Sequence, residues 1–78
     1  MAISATVKCF AALREKVGFA ETRVEFEPGA TVAELWAMAC RENLDPHIKV
    51  AINHQYADVT AEVGDGDEVA FFPPVTGG

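Results

Sequence analysis

With 78 residues, half of them hydrophobic, the chain has room for one core and is too apolar to be disordered. Twelve acidic against six basic residues give a net charge of −6, which excludes the basic footprint that nucleic acid demands and repels an anionic membrane. A protein partner with a basic docking face is the natural complement.

So small a domain has limited room for an enclosed substrate pocket with its own catalytic groups. Composition therefore points to a carrier, a subunit or a binding module. The opening MAISATVKCF has no basic stretch followed by an apolar one, so no signal peptide is expected. No apolar run is long enough to span a bilayer. Cys9 and Cys40 do not make a disulfide framework, and the expected address is the cytoplasm with both thiols reduced.

The segment ISATVKCF alternates, with Ile3, Ala5, Val7 and Cys9 on one face, and predicts a first strand. AALREKVG predicts a short helical turn stopped by Gly18. ETRVEFE alternates again: Thr22, Val24 and Phe26 oppose Glu21, Arg23, Glu25 and Glu27, as in a strand with one wet face. The short connection predicts antiparallel pairing with the first strand. After PGA, TVAE has the form of a capping box between Thr31 and Glu34. Val32, Leu35, Trp36, Ala39 and Cys40 then form one apolar helical stripe, which NLDP, Asn43 to Pro46, is expected to end. IKVAIN predicts a third strand, Asn53-His54 a tight turn, and the residues around Tyr56 a short strand. GDGDE is a loop, and EVAFF is a last strand that is apolar on both faces: Val69 and Phe71 one way, Ala70 and Phe72 the other.

Strand, strand, long helix, strand, short strand, strand is the order of an α+β β-grasp, or ubiquitin-like, fold. One main helix then packs on a mixed sheet of about five strands. Residues 1–74 are expected to form the domain and 75–78 a flexible tail ending in Gly-Gly. With a single helix, one sheet face has no cover. Phe71, Phe72, Pro73 and Pro74 are therefore the candidate partner interface.

No metal site is expected, because Cys9, Cys40, His47 and His54 show no ligand spacing and both cysteines fall on apolar stripes. GDGD lacks the lysine and helix of a phosphate loop. Asp58, Glu62, Asp65, Asp67 and Glu68 cluster before and into the last strand, which reads mainly as a solvated face and secondarily as a docking surface for a basic partner.

The ending FFPPVTGG carries the most information. Pro73 and Pro74 cannot continue a strand ladder and hold an extended rod. Gly77 and Gly78 have no side chains, so with Val75 and Thr76 they suit threading into a narrow channel of another protein. What such a tail delivers is the Gly78 carboxylate. It is ionised at neutral pH, with a pKa of about 3.5, and inert to nucleophiles until activated. ATP can convert it to an acyl-adenylate. That step needs a partner enzyme, because the chain shows no phosphate site. The tail reads as a substrate and the domain as its handle.

FFPPVTGG after GDGDEVA closely resembles the end of MoaD-like small subunits of molybdopterin synthase, ubiquitin-like sulfur carriers of the MoaD/ThiS family. KCFAALREKVG is similar to that family's first strand and following turn through Phe10, Ala11, Arg14, Glu15 and Gly18, and AINHQYA resembles its central hairpin. The middle helix matches only in kind. The resemblance implies that a ubiquitin-activating-type (MoeB-like) adenylyltransferase forms a transient glycyl-AMP on Gly78, and that a sulfur donor protein converts it to a thiocarboxylate. It further implies that the tail enters the MoaE-like large subunit, which holds the catalytic residues, and gives sulfur to cyclic pyranopterin monophosphate within a heterotetramer. No cofactor would be bound by the chain itself; ATP belongs to the activating partner. A carrier for the thiamin thiazole, a protein-conjugation tag and a plain binding module are the alternatives.

Overall fold

The computed structural model describes residues 1–42 and 44–73. The elements run β1 (Ile3–Cys9), α1 (Ala12–Val17), β2 (Glu21–Phe26), α2 (Val32–Cys40), β3 (Lys49–Ile52), β4 (Gln55–Ala57) and β5 (Glu68–Phe72). The sheet order is β2-β1-β5-β3-β4. β1 and β2 are antiparallel, as their short connection requires, whereas β5 enters beside β1 in parallel and pairs antiparallel with β3. The mixed sheet with its one main helix is the β-grasp arrangement.

The alternation of β1 sends Ala5, Val7 and Cys9 into the core. β5 adds Val69 and Phe71 on the same face. α2 covers that face with Val32, Leu35 and Trp36, and the Trp36 ring meets Phe71 edge-on at a centroid distance of 4.7 Å. Burial of these apolar side chains is the main force holding helix to sheet.

The capping box forms as the TVAE pattern predicts. Thr31 Oγ1 accepts the Glu34 N–H at 3.3 Å, and Glu34 Oε1 accepts the Thr31 N–H at 3.0 Å. The end of α2 differs from expectation. The helix stops at Cys40, before the NLDP segment, because Arg41 turns left-handed at φ 57° and donates its N–H to the Ala37 carbonyl at 2.8 Å. A left-handed cap on a non-glycine residue carries no sequence signal. Asn43 lies outside the described residues.

Two turns fix the remaining registers. Asn53 and His54 both take positive φ, 50° and 70°, as a two-residue hairpin between β3 and β4 requires. The acidic loop before β5 proves structural rather than merely solvated. Asp65 Oδ1 accepts the Ser4 N–H at 3.0 Å, Asp67 Oδ2 accepts the Gly64 N–H at 2.7 Å, and Asp67 Oδ1 accepts from Asn53 Nδ2 at 3.0 Å. Together these bonds tie the loop to β1 and to the hairpin turn, and so aim β5 into the middle of the sheet.

Candidate functional site at the root of the tail

The exit of β5 is framed by side chains on the sheet face that no helix covers. β1 continues its outward parity with Lys8 and then Phe10 just past its end, and β5 supplies Glu68, Ala70 and Phe72. Ala51 of β3 pairs with Ala70 on one side and Tyr56 of β4 on the other. With His54 from the hairpin turn they line a shallow concavity of about 250 Å³. The small side chains of Ala51 and Ala70 make its floor, and the aromatic rings make its walls.

Phe10 and Phe72 stack with ring centroids 5.0 Å apart and planes only 5° from parallel. The Phe10 N–H also reaches the Phe71 carbonyl at 3.3 Å, which extends the β1–β5 ladder to the root of the tail. The next residue, Ala11, adopts φ 52° and ψ −129°, a backbone conformation costly for any side chain with a Cβ. Phe10 is 43% exposed and Tyr56 83%. Phe10 stands in solvent beside the end of β5, and Tyr56 stands in solvent on β4, across β3 from it.

One edge of the concavity is charged. Lys8 Nζ lies 2.5 Å from Glu68 Oε1 and 3.7 Å from Glu21 Oε1, while His54 Nε2 lies 3.3 Å from Glu68 Oε2. Both carboxylate oxygens of Glu68 are thus engaged. The hydrogen bond from Lys8, helped by the Lys8 and His54 charges, holds the Glu68 carboxyl below the usual range against the opposing effect of desolvation. The same bond raises the Lys8 ammonium.

Phe71 and Phe72 part company here. Phe71 is 0% exposed and packed on Trp36, so its expected place in a partner interface is corrected: it is a core residue. The alternation of β5 leaves Phe72 half-buried on the helix-free face, next to the half-buried Pro73. Pro74, Val75, Thr76, Gly77 and Gly78 lie outside the described residues. The sequence reading did not join Phe10, Lys8, Ala51, His54 and Tyr56 to this surface. The parity of β1 carried past Cys9 was the signal that could have placed Lys8 and Phe10 there.

The thiols are poorly suited to nucleophilic work. Burial raises the Cys9 thiol, and burial followed by the neighbouring Cys9 and Glu42 pushes the Cys40 thiol up to about 11. Among the described residues no cluster of His, Cys, Asp and Glu side chains is arranged to hold a metal, and no helix is long and apolar enough to cross a membrane.

The sequence and the β-grasp fold are both matched by known proteins. The sequence fits the ThiS family over residues 7–78, a span that runs through the Gly-Gly pair. The chain belongs to the ThiS family. It is 37% identical to the molybdopterin synthase sulfur carrier subunits of Haemophilus influenzae and Escherichia coli, over 88% of this chain and 93% of each relative. Among solved structures it resembles the small archaeal modifier protein 1 of Haloferax volcanii, with a TM-score of 0.80 and 31% identity over 94% of this chain and 99% of that one. A putative molybdopterin converting factor subunit 1 from Pyrococcus furiosus is similar at a TM-score of 0.77 and 29% identity, over 94% of this chain and 99% of that one.

Proposed function

We propose that this chain is the sulfur carrier subunit of a molybdopterin synthase, with the Gly78 carboxylate as the group that is loaded and unloaded. The observation that carries the reading is the 37% identity, across nearly the whole of both chains, to proteins that bear that name. A carboxylate oxygen of Gly78 attacks the α-phosphorus of ATP held by a ubiquitin-activating-type adenylyltransferase, and pyrophosphate leaves. A sulfur donor protein then delivers sulfur at the sulfide level, which attacks the acyl carbon, forms the C–S bond as the bond to AMP breaks, and leaves a thiocarboxylate. The tail, from Pro74 through Val75, Thr76 and Gly77, enters the large subunit and presents that sulfur to cyclic pyranopterin monophosphate. On this reading the acid–base and metal chemistry of these steps belongs to the partners. The chain presents the tail, and the concavity beside Phe72 gives each partner a fixed apolar surface against which to register it.

That geometry suits a shuttled carrier. A stacked aromatic pair holds the last described strand to β1, and an apolar floor rimmed by an ion pair offers area for docking without an enclosed cavity. The likeness to an archaeal modifier protein favours one second reading: a conjugation tag that shares the adenylate but gives its acyl group to a lysine amine.

Intact-mass analysis of the protein purified from its own cells distinguishes the two. A carrier shows one oxygen-to-sulfur exchange at the C-terminal glycine; a tag shows that glycine in amide linkage to lysines of other proteins. Reconstitution with the adenylyltransferase, a sulfur donor and the large subunit then tests position. Deleting Gly78 withdraws the carboxylate by up to about 3.5 Å. Displacements of even about 1 Å can cost on the order of a hundredfold in rate. Full activity of the truncated chain in both adenylation and molybdopterin formation would end the sulfur-carrier reading.

A further inference from the structure

A second groove lies away from the tail root, between the end of β2 and the flank of α2. Its floor and walls include Phe26, Ala30 and Met38, and its rim carries Glu25, Glu27 and Glu34, with no lysine or arginine among the lining residues. Met38 is 45% exposed on a helix whose other face buries Val32, Leu35 and Trp36, so the groove presents apolar surface that the domain itself does not use.

The strand beside this groove is also unsatisfied. β2 is an edge of the sheet and pairs only with β1 among the described residues. The Cys9 N–H bonds the Ala20 carbonyl at 2.9 Å, so in the same register Thr22, Val24 and Phe26 direct their backbone groups toward β1. In an antiparallel ladder the intervening residues point the other way. The N–H and C=O groups of Arg23 and Glu25 therefore face outward along the open edge.

We infer that this edge and groove form a second docking site, which takes a short, extended, basic segment of a partner protein. The segment adds a strand to β2 through the Arg23 and Glu25 backbone, lays alternate apolar side chains against Phe26 and Met38, and sets lysines or arginines against Glu25 and Glu27. Strand addition supplies affinity through the main chain and specificity through alternate side chains. Carboxylates along an edge discourage indiscriminate pairing, and the same charges select a cationic guest. A second copy of this chain is a poor occupant, since it would bring carboxylates against carboxylates. The groove is separate from the surface beside Phe72, so the inference stands apart from the proposed carrier role. A partner held here would leave the root of the tail free.

The test is a titration of the full chain, labelled with ¹⁵N, against a capped six-residue peptide alternating valine and lysine. The controls are a glutamate-for-lysine peptide and a peptide with proline at the central positions. Saturable shifts at the amides of Arg23, Glu25 and Met38, absent from Phe10 and Phe72, are expected. So is loss of binding with either control peptide. Combining Glu25→Lys with Glu27→Lys should weaken binding at least about tenfold, or about 1.4 kcal/mol, while the variant's amide dispersion stays native. Met38→Glu provides an independent check on the apolar floor, and should weaken binding as well. Absence of saturation at millimolar peptide, shifts centred on the Phe72 face, or undiminished binding of the proline peptide would each overturn the inference. So would a mass that grows with protein concentration through this edge, which would make it a self-interface.

Discussion

Phe71 and Phe72 are neighbours in sequence and opposites in role, so substituting each in turn separates folding from docking. Phe71 is fully buried on a strand with partners on both sides and touches Trp36 at 4.7 Å. Truncating such a ring to alanine costs about 3–5 kcal/mol, the transfer of the ring plus the cavity it leaves. A domain of this size has a total stability of only about 4–12 kcal/mol, so Phe71→Ala should unfold or lie close to it. Phe72 is half-buried, and its main contact is the parallel stack on Phe10. Losing that pair costs about 0.5–1.5 kcal/mol beyond the area exposed, and Phe72→Ala should therefore fold. Its expected defect is in binding to the large subunit, by about 2 kcal/mol or more, the scale of an interface anchor. Urea denaturation gives the first quantity and calorimetric titration with the large subunit the second. A Phe71→Ala midpoint equal to that of the parent, or a Phe72→Ala protein that binds like the parent, would refute the assignment of the two faces.

Three further outcomes follow from single contacts. Thr31→Ala removes the acceptor for the Glu34 N–H and should lower stability by about 1 kcal/mol, read as a shift in the urea midpoint at unchanged slope. The Glu68 carboxyl is depressed in the folded state by the Lys8 hydrogen bond. Its contribution is therefore fully present above the ordinary glutamate range and is lost as pH falls through the lower folded value. Glu68→Gln should flatten that acid limb of the stability–pH curve, and an unchanged limb would rule the ion pair out as its source. Cys40, with its thiol pushed to about 11, carries only about a thousandth of its population as thiolate at pH 8. Its alkylation should accordingly run far slower than that of a free cysteine peptide, and comparable rates would contradict the burial that causes the shift.

Much of the fold could be read in the sequence because its signals were local. The alternation of Ala5, Val7 and Cys9, the Thr31–Glu34 box, the Gly18 stop and the Asn53-His54 turn each involve residues a few positions apart, and each appears as read. The left-handed Arg41 was not legible, since nothing in an arginine announces that conformation. Nor was the division of labour between Phe71 and Phe72. Either parity of an all-apolar strand fits the sequence, and only the position of α2 decides which ring is buried. The surface at the tail root was legible only at Phe72 and Pro73. Lys8 and Phe10 come from one stretch and Ala51, His54 and Tyr56 from another, and the two meet only through the sheet order, in which one of the decisive pairings, β1 with β5, joins nearly opposite ends of the described chain. The acidic loop looked like a solvated face because the hydrogen bonds that Asp65 accepts from the Ser4 N–H and Asp67 from the Asn53 side chain span distant residues and leave no periodic trace.

The place of β5 also has a mechanical meaning. The strand that leads into the tail is the central one, bonded in parallel to β1 and antiparallel to β3. A pull applied at Pro73 along the axis of this strand loads both ladders in shear, so that many bonds share the force at once. An edge strand under the same pull would peel away one bond at a time. A chain loaded at this strand is thereby held at the position of its sheet that yields last, while the outer strands β2 and β4 carry none of the load directly.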